Sequence, residues 1–231
     1  MILTRERILE EYAAGRIAID PFEPELVSVN SVDVRLGRDM WELHHNHDEV
    51  VRDLYNGPGG VWSETQKCYA GELREHPEYA HWAEGVVPDE ADVFLLRSGG
   101  FYIATSFERI GTRNDRLGGP QIVPEMRAKS TVGRHGLTVA LCAGIGDVGY
   151  CSRWALEIRV ALPHMGNQQD GHPLIPLAVG TPVGQVVFHE TTPTNEEYGG
   201  VARYQPAGGA YDVRFLPKNL RWFADELEPL L

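Results

Sequence analysis

Residues 129–137, KSTVGRHGL, place two cations and two hydroxyl side chains in one short segment that contains two glycines. Arginine offers a planar fork for bidentate contact with phosphate oxygens, and hydroxyls and glycine-freed backbone N–H groups add short-range donors. The pattern suggests a seat for a polyanion such as a triphosphate, and a solvated loop is the alternative. The side chains that would make these contacts are Lys129, Ser130, Thr131 and Arg134.

Three further polar positions suit a nucleotide ligand. Asp147 lies in the glycine-rich turn AGIGDVGY, where it can hold a sugar hydroxyl while Tyr150 packs on the sugar, or can simply support its own turn. Glu157 lies opposite the apolar set of RWALEIRVAL and is either an exposed strand carboxylate or a general base held rigidly by a sheet. Gln185 interrupts the apolar run VGQVVF and is either an edge-strand amide or a ligand contact.

Several common catalytic signatures are missing from the sequence. It contains no phosphate-binding GxxxxGK[ST] loop, no GxGxxG between a strand and a helix, and no GxSxG elbow. The stretch HHNHDE contains an HxE, but the zinc deaminases also need a downstream PCxxC to complete the metal ligands, and none is present. We therefore interpret His44, His45 and His47 as part of a solvated loop and expect no zinc.

Composition is that of a soluble globular protein. The chain has 231 residues, 42% of them hydrophobic, and a net charge of -12, which disfavours non-specific nucleic-acid binding and requires any phosphate site to be locally positive. No apolar run is long enough for a membrane span, and the charged N-terminus lacks a signal-peptide core, so we expect a cytoplasmic protein. Cys68, Cys142 and Cys151 form no CxxC pair, which favours reduced thiols.

Many short alternating segments with Gly and Pro turns predict a mainly β fold, a distorted jelly roll or barrel with short peripheral helices. We expect one domain over residues 1–231, with an insertion-like excursion at about 44–90 that includes a turn or two of helix in DEVVRDLYNG. A first helix begins at a Thr4 cap and ends at Gly15, and a last amphipathic one spans about 220–227. Strands are predicted in SVDVRLG, on both sides of the Gly-Gly turn in VFLLRSGGFYIATSFERI, on both sides of the turn in LTVALCAGIGDVGY, in RWALEIRVAL, and twice in PLAVGTPVGQVVFHE.

Several motifs in the same order resemble the dCTP deaminase family, part of the trimeric dUTPase-like superfamily. ILTRERILEEYAAGRIAIDPF with SVDVRLG is similar to the family's N-terminal region, and GGFYIATSFERI to the segment before its phosphate motif. AKSTVGRHGL resembles its GRSSLGRLGL-like motif, and CAGIGDVGYCSRWALEI its TAGxIDxGxxGxxTLEI-like motif. PVGQVVF and YGGVARYQ resemble the C-terminal segments, so the resemblance covers most of the chain.

The resemblance implies a role for each matching position. Glu157 would activate the water that attacks cytosine C4, with Ser130 and Arg134 shaping the reaction centre. Asp147 would bind the 3′-hydroxyl, and backbone groups around Ala143 would bind the pyrimidine edge. Mg²⁺ would bind through the phosphates of the nucleotide. The active sites would lie at the subunit interfaces of a homotrimer. The implied substrate contacts are Lys129, Ser130, Thr131, Arg134, Ala143, Asp147, Tyr150, Ala155, Leu156, Glu157, Gln185 and Tyr198.

The chain departs from the family pattern at four points. Lys129 replaces the usual Arg, so a point charge replaces a bidentate fork. Gly146 stands where the family has Ile. Gly144 stands where single-function deaminases tend to have His, and glycine at this position resembles the bifunctional enzymes that also hydrolyse dUTP. The tail RYQPAGGAYDVRF lacks the usual basic pattern, which leaves contacts such as Arg203 open.

Three functions remain in order of preference. The first is a dCTP deaminase that produces dUTP and ammonia without zinc. The second is the bifunctional enzyme that yields dUMP and pyrophosphate, or a plain dUTPase. The third is a trimeric nucleotide-binding regulator that has lost catalysis and contacts a partner through the 44–90 insertion. Under all three we expect dCTP as the ligand, with dUTP and dTTP as further candidates, and no binding to nucleic acid or membrane.

Overall fold

The computed structural model describes residues 1–44, 64–77, 88, 90–113, 120–139, 144–161 and 174–194. Two helices, eleven strands and two short 3₁₀ turns (Pro24–Leu26 and Leu73–Glu75) occur in these ranges. The helices are α1 (Arg5–Ala13) and α2 (Ser130–Arg134). The strands are β1 (Ile17–Asp20), β2 (Val32–His44), β3 (Glu64–Cys68), β4 (Gly71–Glu72), β5 (Asp92–Arg97), β6 (Phe101–Thr112), β7 (Gln121–Ala128), β8 (Leu137–Val139), β9 (Cys151–Val160), β10 (Leu174–Ala178) and β11 (Pro182–Thr191).

The strands form a large antiparallel sheet and a small one. The order in the large sheet is β7-β11-β2-β6-β9-β8, with β1 added to β6 and β3 added to β2. The small sheet has the order β10-β5-β4. The segment after β8 returns to the free edge of β7, where Glu125 and Ile145 form a bridge, so the large sheet comes near to closing on itself. The mainly β, barrel-like prediction is confirmed.

Alternation within the strands builds the core between these sheets. In β9 the side chains of Trp154, Leu156, Ile158 and Val160 are all at most 5% exposed, whereas Glu157 is half-buried on the opposite face. The indole Nε1 of Trp154 donates to the Ile110 carbonyl oxygen at 2.9 Å, which fixes β9 against β6. This face alternation is the one predicted from RWALEIRVAL.

The first helix and most strands agree with the sequence prediction, with differences in detail. Thr4 occupies the N-cap position of α1 but makes no capping hydrogen bond through its side chain. Gly15 follows the helix with φ of 76°, which glycine adopts without strain. The Gly-Gly turn at 99–100 joins β5 to β6, yet these strands belong to different sheets and do not pair with each other.

The region from about 44 to 90 contains ordered elements that sequence patterns do not reveal. Its described part includes β3, which pairs with the end of β2 and widens the large sheet, and β4, which pairs with β5. The predicted helical turns in DEVVRDLYNG and the closing helix near 220–227 lie outside the described residues. In the part of the chain that is described, neither helix has the length and apolar character needed to cross a membrane.

Candidate active site

The segment predicted to bind phosphate is a short exposed helix, and backbone hydrogen bonds hold the residues on either side of it. Helix α2 begins directly after β7, and Val132, 9% exposed, is its one buried residue. Ser130, Thr131 and Arg134 are exposed, so their donors are available to a ligand. Gly136, with φ of 80°, turns the chain into β8, and its carbonyl oxygen accepts from Ala161 N–H at 2.7 Å. The predicted turn is therefore a rigidly seated helix with its polar side chains facing outward.

Lys129, immediately before α2, is tied into the sheet. Its backbone N–H donates to the Val183 carbonyl oxygen at 3.2 Å. Its ammonium forms an ion pair with the Asp33 carboxylate, and the two side chains are 26% and 21% exposed. Lysine at this position thus presents a point charge that is already partly compensated, whereas an exposed arginine would present a free fork.

Gln185 lies beside this ion pair. It is paired in register with Asp33 of β2 on one side and with Arg127 of β7 on the other. Because β11 is an interior strand, the edge-strand interpretation of Gln185 is wrong. Its Oε1 accepts a hydrogen bond from Ser31 Oγ at 3.2 Å, which orients the amide and leaves its NH₂ group to donate elsewhere.

Asp33 and Ser31 are site residues that sequence patterns do not single out. Both belong to the stretch that predicts a strand, and only the register of β2 against β11 brings them to Lys129 and Gln185. The available signal is a carboxylate on the outward positions of SVDVRLG, which is common on solvated strands.

The turn that carries Asp147 is fixed through its backbone. Tyr150 N–H donates to the Asp147 carbonyl oxygen at 2.9 Å, while the Asp147 side chain is exposed and has no hydrogen-bond or ion-pair partner among the described residues. The carboxylate therefore does not support its own turn. The Tyr150 ring packs edge-on against Trp154, with ring centroids 4.7 Å apart, which leaves this half-buried ring only partly available to a sugar.

Two glycines in this turn lie where side chains would not fit. A Cβ on Gly144 would be 2.7 Å from the Met126 carbonyl oxygen, and the Gly144 carbonyl oxygen accepts from Met126 N–H at 2.6 Å. A Cβ on Gly146 would be 2.9 Å from the Tyr150 ring and 3.1 Å from the Trp154 ring. Glycine at these two positions therefore lets the turn pack closely on β7 and on the Tyr150 and Trp154 rings.

Glu157 is held in the middle of β9. It is paired in register with Ile103 of β6, and Ile158 next to it is paired with Val139 of β8. Within the described part of the chain its carboxylate has no hydrogen-bond or ion-pair partner, and the residue is half-buried. A carboxylate on an interior strand, without a fixed partner, suits proton transfer to a bound substrate.

The predicted residues lie on three parts of the fold. Lys129 and Gln185 lie beside α2, Asp147 lies in the turn that packs on β7, and Glu157 lies on β9. Strand β8 follows α2 and begins opposite Val160, three residues beyond Glu157, which corresponds to about 10 Å along the strand. No hydrogen bond or ion pair joins the Glu157 carboxylate to α2 among the described residues.

The remaining predicted residues have varied positions. Ala155 is exposed on the Glu157 face of β9, whereas Leu156 is fully buried, so a substrate contact at Leu156 would have to come from its backbone. Ala143, Tyr198, Arg203, His45 and His47 lie outside the described residues, as does Cys142, and of His44 only the backbone is described. The described residues contain no cluster of three or more His, Cys, Asp or Glu side chains arranged to hold a metal.

Comparison with known proteins identifies the family. A family model described as dCTP deaminase-like matches residues 2–191. The chain is 31% identical over 215 residues to a protein of Beutenbergia cavernae named "dCTP deaminase, dUMP-forming", covering 90% of this chain and 92% of that one. A protein of the same name from Streptomyces griseus is 27% identical over 207 residues, covering 89% and 88%.

Solved structures give weaker similarities. The 2′-deoxycytidine 5′-triphosphate deaminase from Agrobacterium tumefaciens matches with a TM-score of 0.47 and 16% identity, over 82% of this chain and 48% of that one. This chain thus spans about half the length of that structure. A dUTPase from phage phi11 of S. aureus, described with a structural Mg(II) ion, matches with a TM-score of 0.34 and 14% identity over 46% of this chain and 76% of that one. Neither similarity is close enough to assign roles to residues.

The family model covers most of the chain, and the Beutenbergia protein is similar over nearly the full length of both proteins. The prediction of a hydrolase that acts on the cytosine C–N bond is confirmed, because these relatives are named dCTP deaminases. The preference for a dUTP-producing enzyme is not supported, since the Beutenbergia and Streptomyces proteins are both named dUMP-forming. This chain belongs to the dCTP deaminase-like family.

Proposed function

We propose that the protein is a bifunctional dCTP deaminase that converts dCTP and two waters to dUMP, pyrophosphate and ammonia. The observation that carries this proposal is the 31% identity, over 90% of the chain, to a protein named as dUMP-forming. Gly144 supports it, because the packing against Met126 leaves no room for the histidine that is typical of single-function deaminases. Cytoplasmic localisation stays a prediction.

The deamination step uses Glu157 as the proton carrier. The carboxylate takes a proton from a water, whose oxygen adds to cytosine C4. Glu157 delivers this proton to N3 and then moves the proton of the new C4 hydroxyl to the amino group, so that the C4 carbonyl forms as the C4–N bond breaks and ammonia leaves. Because β9 is an interior strand with Trp154 anchored beneath it, the carboxylate stays in one position through both transfers.

Phosphate contacts hold the base in its attacking pose and prepare the second hydrolysis. The substrate is the magnesium complex of the nucleotide. Arg134 and the hydroxyls of Ser130 and Thr131 would bind its phosphate oxygens, while Lys129 and Gln185 contribute from the neighbouring sheet. A second water attacks the α-phosphorus, and the bond to the bridging oxygen breaks to release pyrophosphate. Arg134 and Lys129 would stabilise the negative charge that develops on the pyrophosphate leaving group.

A second copy of the chain would complete each site. The homotrimer implied by the family resemblance supports this arrangement, because it would place α2 of one subunit next to Glu157 of another.

Product analysis tests the overall reaction. Purified protein is incubated with dCTP and Mg²⁺, nucleotides are separated by anion exchange, and ammonia and pyrophosphate are assayed in parallel. We expect dUMP, pyrophosphate and ammonia in equal amounts from the first time point. Accumulation of dUTP would establish the single-function deaminase instead, and no turnover of dCTP or dUTP would favour a binding protein.

Complementation between two inactive variants tests the shared site. Glu157→Gln and Arg134→Gln are purified separately and also coexpressed. If each site takes Glu157 from one subunit and Arg134 from another, about one quarter of the sites in random mixed trimers are intact, and activity returns to that level. If both residues serve a site within one chain, mixing restores nothing.

A further inference from the structure

A cavity of about 810 Å³ lies away from α2, between the end of α1, β1 and the adjoining ends of β6 and β9. Its charged lining consists of Arg109, Arg113 and Asp20, and Cys151 and Thr112 also face it. Gly149, two residues after Asp147, also lines the cavity, but none of the residues that have a role in the proposed function does. Its size is within the range of pockets that hold small molecules up to a nucleotide.

The register of three strands concentrates positive charge beside the cavity. Arg109 of β6 is paired in register with Asp20 of β1 on one side and Arg153 of β9 on the other. Partners in an antiparallel pair point to the same face, so two guanidinium groups stand next to each other. Arg113 lies on the same edge of the cavity. Like charges directly opposite on neighbouring strands are destabilising.

Protein groups in the described part of the chain do not balance this charge. None of Arg109, Arg113 and Arg153 forms an ion pair with a described carboxylate, and Asp20, the nearest acid in register, is exposed. The Nε of Arg109 is fully buried and has no hydrogen-bond partner among the described residues, while the Arg109 side chain forms a hydrogen bond with the Cys151 thiol. Burial raises the pKa of the Cys151 thiol, against the opposing effect of the two arginines, so this sulfur supplies no negative charge at neutral pH.

The remaining polar groups at the cavity are already used. Thr112 Oγ1 accepts from Gly149 N–H at 3.1 Å, and Thr112 N–H donates to the Tyr150 carbonyl oxygen at 2.7 Å. The donors that remain at the cavity are thus the buried Nε–H of Arg109 and the exposed guanidinium of Arg113. Guanidinium groups match tetrahedral oxyanions through two parallel hydrogen bonds. In a chain with net charge -12, this local excess of cations requires a specific cause.

We propose that the cavity between β1, β6 and β9 is a binding site for a phosphate-type oxyanion, held by Arg109 and Arg113. The ligand is a free phosphate or the phosphate group of a nucleotide, since both present the same oxygens to the guanidinium fork. This site is separate from the phosphate contacts of α2 and does not depend on the proposed reaction.

The test measures phosphate binding to the full-length protein by calorimetry and by the rise in Tm with added inorganic phosphate. Arg134→Gln removes the main cation of α2, so the phosphate response that remains in this variant reports binding at the cavity. Arg109→Gln should weaken phosphate binding by roughly tenfold or more, because it removes a charged bidentate donor. A nucleoside monophosphate replaces phosphate in a parallel series, and tighter nucleotide binding that Arg109→Gln weakens and Arg134→Gln does not would identify the nucleotide as the source of the phosphate group.

A second variant distinguishes the loss of phosphate binding from a loss of folding. Ala18 lines the cavity on the same strand face as Asp20, next to Gly111 in register. Ala18→Asp should place a carboxylate in the cavity, which abolishes the response to phosphate while leaving Tm in phosphate-free buffer equal to or above that of the wild type. The proposal is overturned if wild type shows no phosphate response, or if Arg134→Gln loses the response while Arg109→Gln retains it. A change in self-association alone, with phosphate binding unaltered in Arg109→Gln, would also overturn it.

Discussion

The close packing of Gly144 against β7 gives a prediction that can be tested by the substitution Gly144→Ala, which adds one methyl group. The Cβ of Gly144→Ala would lie 2.7 Å from the Met126 carbonyl oxygen, a distance that side chains essentially never adopt. The turn therefore has to move away from β7. Two hydrogen bonds depend on its position, Met126 N–H to Gly144 O at 2.6 Å and Gly146 N–H to Pro124 O at 2.8 Å.

The magnitude follows from these contacts. Each backbone hydrogen bond contributes about 0.5–1.5 kcal/mol net, so weakening both lowers the free energy of unfolding by roughly 1–3 kcal/mol. For a chain of this size, a loss of about 2 kcal/mol corresponds to a fall in Tm of roughly 4–8 °C. The same displacement moves Asp147, which follows in the same turn, so we also expect a higher KM for dCTP.

Gly133→Ala is the matched control for this substitution. Gly133 lies in α2, and nothing lies within 4 Å of the position that its Cβ would take. Alanine there should stabilise the protein by up to about 1 kcal/mol through helix propensity. Urea unfolding of both variants, followed by fluorescence, measures the two changes. A Gly144→Ala protein with wild-type stability would refute the packing argument, and with it the structural reason for glycine at this position.

Three further predictions concern catalysis, phosphate binding and pH. Glu157→Gln should reduce kcat for dCTP by about 10²–10⁴-fold while the nucleotide still raises Tm, because only the proton carrier is lost. Asp33→Asn should raise KM for dCTP more than it lowers kcat, since the Lys129 ammonium loses the carboxylate that holds it, and steady-state kinetics measures both. Burial, with help from nearby Glu42, raises the pKa of Cys68 to about 11. The unfolded thiol has its ordinary pKa of 9.0, so this contribution to stability is present below that pH and is lost as pH rises to about 11. Unfolding titrations across that window should show a smaller loss in Cys68→Ala.

Each of these predictions has an outcome that contradicts it. Full activity of Glu157→Gln would remove that carboxylate from the proton-transfer role. Unchanged kinetics in Asp33→Asn, with Lys129→Gln as the comparison variant, would show that the ion pair has no part in substrate binding. An identical pH dependence of wild type and Cys68→Ala above pH 9 would place the titrating group elsewhere.

Local patterns predict the strands whose side chains alternate. They assign Trp154, Leu156 and Glu157 to the correct faces of β9, because a sheet repeats every two residues and that periodicity is visible in the sequence. Helix α1 can also be predicted from the sequence, because Ile8 marks its buried face and Gly15 follows its end.

Pairing between distant strands is not accessible in the same way. The sequence pattern misses β7 because Pro124 interrupts it, and proline usually indicates an edge or the absence of a strand. Here its carbonyl oxygen accepts from Gly146 N–H, so the turn covers that edge of β7. β5 and β6 surround a Gly-Gly turn as hairpin strands would, and only long-range packing sends them to different sheets.

The candidate site shows the same division between local and long-range information. The motif in α2 and the carboxylates of Asp147 and Glu157 can be found by residue type and spacing. Asp33 cannot, because its role depends on the register of β2 against β11 over a separation of about 150 residues in sequence. The arginine cluster around Arg109 has the same origin.

The measurement that tests the central claim most directly is a chase experiment on the two coupled hydrolyses. Labelled dCTP is converted in the presence of Mg²⁺ and a large excess of unlabelled dUTP, and the label is followed in each nucleotide. If one site performs both steps, the label appears in dUMP without dilution by the dUTP pool. Label that collects in dUTP, with no dUMP formed from the unlabelled pool, would show that deamination ends the reaction and would contradict the proposed function.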